Sequence, residues 1–271
     1  KILKIKPDIV EIHFNLGVSL KSLNELDAAE ESFSKIISLK PDFFLAHYHM
    51  GNTKYKLRKF DESEYYYKKV ISLNSKFIEA YINLSRAQRE LGKLKQAEES
   101  ARFALKLNPD FFESNNQLSL ILFDRGRLSD DLQSKSLDKL NEAKKLVLKA
   151  INLKPDHALS YLNYGLILQE LGDLDKSKES FQKSLSIDPS SELSKYNLNI
   201  LLEQIKLLKQ IGIDYNKKDF LNLNYEKQLN KIPFISFRKP NKDLIDLLYE
   251  INSTELNNTK GGPLYGNGKT S

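Results

Sequence analysis

The sequence predicts an all-α solenoid of stacked helical hairpins, and three observations carry that prediction. The first is a ladder: Pro7, Pro41 and Pro109 fall on a spacing of 34 residues, with Ser75 in the slot between the last two, and the ladder resumes at Pro155 and Pro189. The second is a phrase that rides on it. Ten residues after Pro7, Pro41 and Pro155 stands a glycine (Gly17, Gly51, Gly165), twelve further on a small residue (Ala29, Ser63, Ser177), and four beyond that an aromatic (Phe33, Tyr67, Phe181). The third is composition: helix formers dominate, and Pro and Gly sit at regular intervals. A period of this size marks a repeat array, in which each unit buries its apolar face on its neighbours. The 271 residues therefore need no single large core.

The first unit, 9–40, reads as two helices, called A and B here. Ile12, Leu16, Leu20 and Leu23 recur at helical spacing around Gly17. A glycine inside a helix costs about 1 kcal/mol against alanine, so close approach by helix B is its predicted use, with Ala28 and Ala29 as the matching small surface. The segment 24–27 is the predicted turn. Phe33, Ile36, Ile37 and Leu39 carry the apolar face of helix B, and Lys40-Pro41 ends it, because a residue before proline avoids the α region. Asp42 is placed to cap the next helix. The second and third units repeat this plan; Ser85, and Ser119 in the fourth unit, replace the glycine and Ser75 replaces a proline, departures expected to loosen packing locally.

The fourth unit is longer. Pro109 to Pro155 spans 46 residues, 12 more than the period. The insertion falls at about 129–141, between an A helix over 111–123 and the Ala143, Val147, Ala150 face of helix B. Ser129-Asp130-Asp131 reads as a cap, so a lengthened helix B or an added turn is predicted. The fifth unit returns to the plan, and a sixth A-type helix runs from Ser191 to about Ile211. Its Leu193, Tyr196, Ile200, Leu201, Ile205, Leu208 and Ile211 are too apolar for a terminal cap facing water, so the tail is expected to cover it.

With these residues in view the chain resembles the tetratricopeptide repeat (TPR) family. Unit three shows the pattern as Tyr81, Leu84, Ser85, Ala97, Ala101, Ala104 and Pro109; unit five shows Tyr161, Tyr164, Gly165, Phe181 and Pro189. The resemblance implies a right-handed TPR superhelix over 1–203, with 204–271 holding the end of the last helix, a linker and the start of a further segment. It also implies that A helices line a concave groove that takes an extended peptide or a partner helix.

One position of that groove, two residues before the glycine slot, holds Asn15, His49, Asn83, Gln117, Asn163 and Asn197. Asparagine is an indifferent helix former, so its repetition in one slot points to use. Carboxamides at regular intervals can hold a peptide backbone, since each offers donors and an acceptor. In this feature the array resembles the asparagine-lined TPR superhelix of O-linked N-acetylglucosamine transferase. Tyr48, Tyr55, Leu162 and Tyr196 are apolar candidates on the same groove, and Asn52, Arg86 and Arg89 polar ones. The alternative reading has the amides linking adjacent units or simply facing water. A carboxylate clamp of the kind other TPR arrays use is absent, because Phe14 and Val18 stand at its first two positions.

Several classes of function are disfavoured. The chain has no cysteine, which removes disulfides, thiolate metal sites and a cysteine nucleophile. Its net charge of +6 is dispersed, with 31 of 42 basic and 29 of 36 acidic residues in 1–203, so no nucleic-acid partner is expected. No apolar run reaches the roughly 20 residues that span a bilayer, so no membrane role is expected and a cytoplasmic location is. His47 and His49 point to different faces of a helix, His13 and His47 fall in a packing slot, and no metal or cofactor is expected. The closing Gly261–Ser271 stretch suggests a P-loop, but the first glycine would have to be residue 263, which is proline.

The tail, 213–271, changes character. It is Asn-rich, with a strand-like run at Ile232–Phe237 and a helical pattern over 242–251. The stretch 233–268 resembles the connector that precedes 2-oxoglutarate/iron(II) dioxygenase domains in bacterial TPR fusions. The first expectation is thus a non-enzymatic protein-binding scaffold. The alternative is the substrate-recruiting arm of such an oxygenase, or of a sulfo- or glycosyltransferase.

Overall fold

The structure is a computed structural model that describes residues 9–128 and 133–210. Among the described residues there are eleven α-helices and no strand. Ten of them pair into five antiparallel hairpins: α1 (Val10–Ser22) with α2 (Leu26–Leu39), α3 (Phe44–Lys56) with α4 (Phe60–Leu73), α5 (Ile78–Glu90) with α6 (Leu94–Leu107), α7 (Phe112–Arg127) with α8 (Gln133–Leu153), and α9 (Ala158–Glu170) with α10 (Leu174–Ile187). The last, α11 (Glu192–Gln210), is the sixth A-type helix. Each B helix packs on its own A helix and on the next one, and successive A helices also touch. The A helices thus form the closer-packed, inner row of the solenoid.

Gly17, Gly51 and Gly165 are required by close approach. A Cβ on them would stand 2.7 Å from Phe33, 2.7 Å from Tyr67 and 2.4 Å from Phe181 respectively, and all three rings are buried. Where serine replaces glycine, the partner shrinks. Ser85 shares its unit with Ala101 and Ser119 with Val147, all four fully buried. The expected loosening is therefore offset by a smaller residue in the aromatic slot. The serine hydroxyls donate within their own helix, Ser85 Oγ to Ile82 O (2.6 Å) and Ser119 Oγ to Asn116 O (2.7 Å).

The turn between A and B helices is a three-residue link closed by one repeated bond. The amide of Glu25, Lys59, Lys93 and Asp173 donates to the carbonyl of Leu20, Lys54, Gln88 and Leu168 at 2.8–2.9 Å. This six-residue closure needs a left-handed residue, which here is Asn24, Arg58, Gly92 or Gly172. Helix α2 therefore begins at Leu26, inside the span predicted as turn. Leu23 sits in the link and is 70% exposed, and Leu16 is also exposed, so neither belongs to the core face assigned from spacing.

Asp42 does not cap α3. The N-cap is Phe43, one residue later, with no side-chain cap bond. The slot repeats as Phe77, Phe111 and His157. Packing takes precedence over capping here: Phe43 meets the Phe14 ring edge-on at 5.6 Å. The links use other bonds, with Asn74, Asn108 and Asp188 side chains accepting from the amides of Lys76, Asp110 and Ser190. The large-residue slot closes the same links. His47 Nε2 donates to Pro41 O (2.8 Å), Tyr81 OH to Ser75 O (3.2 Å) and Asn115 Nδ2 to Pro109 O (2.9 Å).

The fourth hairpin absorbs its insertion mainly by growing. Helix α7 has 16 residues against 13 in the other A helices of the hairpins, and α8 has 21 against 14 in the other B helices. Gly126 occupies the slot where Gly92 and Gly172 turn, yet here the chain continues helically through it. It is reused as a contact glycine: Leu140 Cγ lies 2.9 Å from where its Cβ would be, and Ser136 Oγ donates to its carbonyl. The same bond closes the second and fifth hairpins, from Ser63 to Gly51 and from Ser177 to Gly165. The longer helix B agrees with the sequence expectation, and the longer helix A adds to it. Ser129-Asp130-Asp131 lies outside the described residues.

In α11, Leu201, Ile205 and Leu208 are buried, while Leu193, Tyr196 and Ile200 are exposed. The predicted cover for this face, the strand-like run and the tail helix all lie outside the described residues. So does the stretch likened to an oxygenase connector.

Candidate functional site

The inner row of A helices carries the predicted slot, and cross-unit hydrogen bonds tie its middle together. Asn83 Nδ2 donates to Tyr48 OH (3.2 Å) and to Asn52 Oδ1 (3.0 Å), both on the preceding A helix. Asn52 Oδ1 also accepts from Tyr67 OH at 2.8 Å. On the other side, Arg86 Nη1 donates to Asn83 Oδ1 (3.2 Å) and its Nε to Gln117 Oε1 (3.3 Å) on the next A helix. Asn163 Nδ2 donates to Asn116 Oδ1 (3.3 Å), which also accepts from Ser160 Oγ. Asn83, Gln117 and Asn163 are thus part of the frame.

The frame does not use all of them. Gln117 is 5% exposed, and its Nε2 has no hydrogen-bond partner among the described residues, although a buried donor normally finds one. Asn15 is exposed at the first unit, beside a cleft formed by Ile9, Val10, Phe14, Lys40 and Phe43. Asn197 turns back on its own helix, donating to Leu193 O at 2.7 Å. Leu162, by contrast, is 1% exposed and belongs to the core, so it is not a groove contact. Tyr196 is exposed, and Leu159, Leu193 and Ile200 join it to make the far end of the row apolar.

His49 is the odd member of the slot. It stacks on Phe33 (centroids 5.4 Å apart, planes at 16°), meets Phe14 and Tyr48 edge-on, and accepts at Nδ1 from Lys21 Nζ at 2.8 Å. Burial, and then the Lys21 charge, push its pKa down to about 4, so the ring is neutral near pH 7. It can accept the ammonium proton only in that form.

A second set of residues links the A helices at their C-terminal ends, four residues past the glycine slot on one unit and five past it on the next. Tyr55 OH donates to Glu90 (3.5 Å), Arg89 Nε to Asp124 (2.5 Å) and Gln169 Nε2 to Gln204 (2.9 Å). At the fourth junction Phe123 cannot donate, and Arg127, lying over the Phe123 ring, reaches Glu170 at 3.6 Å instead. Tyr55 and Arg89, predicted as groove contacts, are therefore also rungs of the frame. Sequence reasoning missed the rungs because they join residues 35 apart, or 43 across the longer unit, that only the stacking register brings together. Among the described residues no cluster of His, Asp or Glu could hold a metal ion, and no helix is long and apolar enough to cross a membrane.

The tetratricopeptide-repeat family model matches residues 10–43, 45–77, 78–111 and 158–191. The unmatched fourth unit is the expanded hairpin, whose fold is nonetheless that of its neighbours. No curated protein matches the sequence. Solved structures with the same fold include YrrB, a TPR protein with an unusual peptide-binding site (20% identity, 72% of this chain and 95% of that one, TM-score 0.53). A thermophilic TPR protein from Thermus thermophilus is also similar (20% identity, 72% and 99% covered, TM-score 0.56). So is a chain of the Cut9–Hcn1 hetero-tetramer of the APC/C (16% identity, 82% and 43% covered, TM-score 0.65). The oxygenase-connector resemblance finds no support among these comparisons. Residues 10–191 of this chain form an array of tetratricopeptide repeats.

Proposed function

We propose that the chain is a protein-interaction scaffold that holds an extended peptide, or a partner helix, along the inner row of its A helices. The observation that carries this reading is the line Asn52, Asn83, Arg86 and Gln117, hydrogen-bonded from unit to unit and so fixed in spacing. A carboxamide has two donor hydrogens and two acceptor lone pairs, and the frame leaves part of that capacity unused at the partly exposed Asn52 and Asn83. Each such bond contributes about 0.5–1.5 kcal/mol, so affinity also needs apolar contact. Leu159, Leu193, Tyr196 and Ile200 supply that at the far end. YrrB is described as having a peptide-binding site, and the Cut9–Hcn1 chain belongs to a hetero-tetramer, which is the kind of role this fold serves.

The test is peptide selection on the full chain, followed by titration of the selected peptides against Asn83→Ala and Asn163→Ala variants. Binding should weaken by about tenfold for each lost amide while helicity by circular dichroism is kept. Selected peptides that bind both variants like the parent would remove the groove from the account.

A further inference from the structure

The rungs between A helices follow one rule with one exception. At the second to fifth junctions a donor on one unit meets an acceptor on the next: Tyr55 with Glu90, Arg89 with Asp124, Arg127 with Glu170, Gln169 with Gln204. At the first junction the same two positions hold Lys21 and Lys56. No carboxylate among the described residues is within salt-bridge distance of either ammonium, and Lys21 is satisfied only by the neutral Nδ1 of His49. The two charges feel each other: burial first, and then Lys56, lower the pKa of Lys21. Lys21 is partly buried and Lys56 exposed, so the repulsion bears on Lys21, and a carboxylate beside the pair would relieve it and offer Lys21 a charged acceptor. Arg86, exposed and bonded only to amide oxygens, extends the cationic character toward the third unit.

We propose that Lys21 and Lys56, with His49 between the amide slot and the rung, form a carboxylate-recognition site for an acidic side chain of a peptide lying in the groove. The missing acceptor of the first rung is supplied by the partner protein. This rests on the groove-binding reading above and adds to it the charge of the peptide and the end at which that charge sits. Beyond the rung, the row changes from Tyr48, Asn52, Tyr55 and Arg86 to Leu159, Leu193, Tyr196 and Ile200. The geometry therefore fits a segment with a Glu or Asp at one end and apolar residues at the other.

The experiment uses the full chain and two fluorescein-labelled peptides amidated at the C-terminus, one with three glutamates leading an Ile/Leu run and one with glutamines in their place. The glutamate peptide should bind more tightly in fluorescence anisotropy, with an affinity that falls as salt rises. Lys56→Glu builds into the chain the acceptor that Glu90 and Asp124 provide elsewhere. It should raise the melting temperature and weaken the glutamate peptide about tenfold, leaving the glutamine peptide unchanged. Lys56→Gln gives an intermediate loss and guards against a folding artefact. Equal binding of the two peptides, or Lys56→Glu without effect on the difference between them, overturns the proposal. If peptides selected without regard to charge still bind and still need Asn83 and Asn163, the groove reading stands while the carboxylate site falls. A glutamate peptide that binds only with a free C-terminus also overturns it, since that is terminal rather than side-chain recognition.

Discussion

Exchanging the contact between Gly165 and Phe181 for the serine–alanine pair found in the third unit tests how the hairpins close. A Cβ on Gly165 would stand 2.4, 2.6 and 3.0 Å from three atoms of the fully buried Phe181 ring, which is rigid and has no room to retreat. Overpacking of this kind costs about 1–3 kcal/mol, against roughly 1 kcal/mol gained from replacing a helical glycine. Gly165→Ser should thus destabilise by up to about 2 kcal/mol. Phe181→Ala empties a core position, at about 3–5 kcal/mol. If Ser85 with Ala101 is a genuine alternative to glycine with an aromatic, the double variant loses the clash altogether. Its cost should fall below the sum of the singles by at least about 1 kcal/mol, a coupling expected only of residues in contact. Urea unfolding followed by circular dichroism gives the three values, compared as midpoints because repeat arrays lose cooperativity. Additivity within about 0.5 kcal/mol would refute the claim that the two slots are filled as a pair.

Three further outcomes rest on single residues. Arg58 holds a left-handed φ of 60° where two other units use glycine, so Arg58→Gly should stabilise by about 0.5–1 kcal/mol in the same unfolding assay. Burial alone would raise the pKa of Glu64, but hydrogen bonds from Lys68, Lys93 and Gln88 hold it down to about 2. Its contribution is present above the ordinary carboxylate value and is lost as pH falls from about 4.5 toward 2, a loss that Glu64→Gln should abolish in melting curves. His49 has the opposite charge type and the same direction: its pKa of about 4 means stability is whole above 6.5 and declines as pH falls toward 4, and His49→Asn should flatten the melting temperature across that window.

What can be read from the sequence is whatever the 34-residue period repeats. The period locates every hairpin, because a glycine, a small residue and an aromatic at fixed offsets can meet only if two helices fold back on each other. It also locates the amide slot, because asparagine has no reason of its own to recur in a helix. Asp42 reads as a cap because capping chemistry is local, whereas the position of Phe43 is decided by Phe14 on the preceding A helix. Gly126 looks like the turn glycine of its unit, and only the continuation of α7 shows it reused against Leu140. The Lys21–Lys56 junction is invisible in the sequence, since nothing in either residue's neighbourhood says which position of the next unit it will face.

The double use of the groove residues bears on how a ligand would be held. An amide that waits free in solvent loses side-chain freedom when it binds, about 0.5–1.5 kcal/mol for a flexible side chain, and that loss can cancel a hydrogen bond of similar size. Asn83, held by Tyr48, Asn52 and Arg86, has already lost that freedom on folding. Whatever acceptor capacity it keeps is therefore offered at fixed height and orientation, one unit from Asn52 and one from Gln117. The same logic separates the ends of the slot. Asn15 is exposed and Asn197 bonds only within its own helix, so neither is positioned by a neighbouring unit. Recognition of a peptide backbone by the amides should accordingly be concentrated at the second to fifth units, where frame and groove are built from the same atoms.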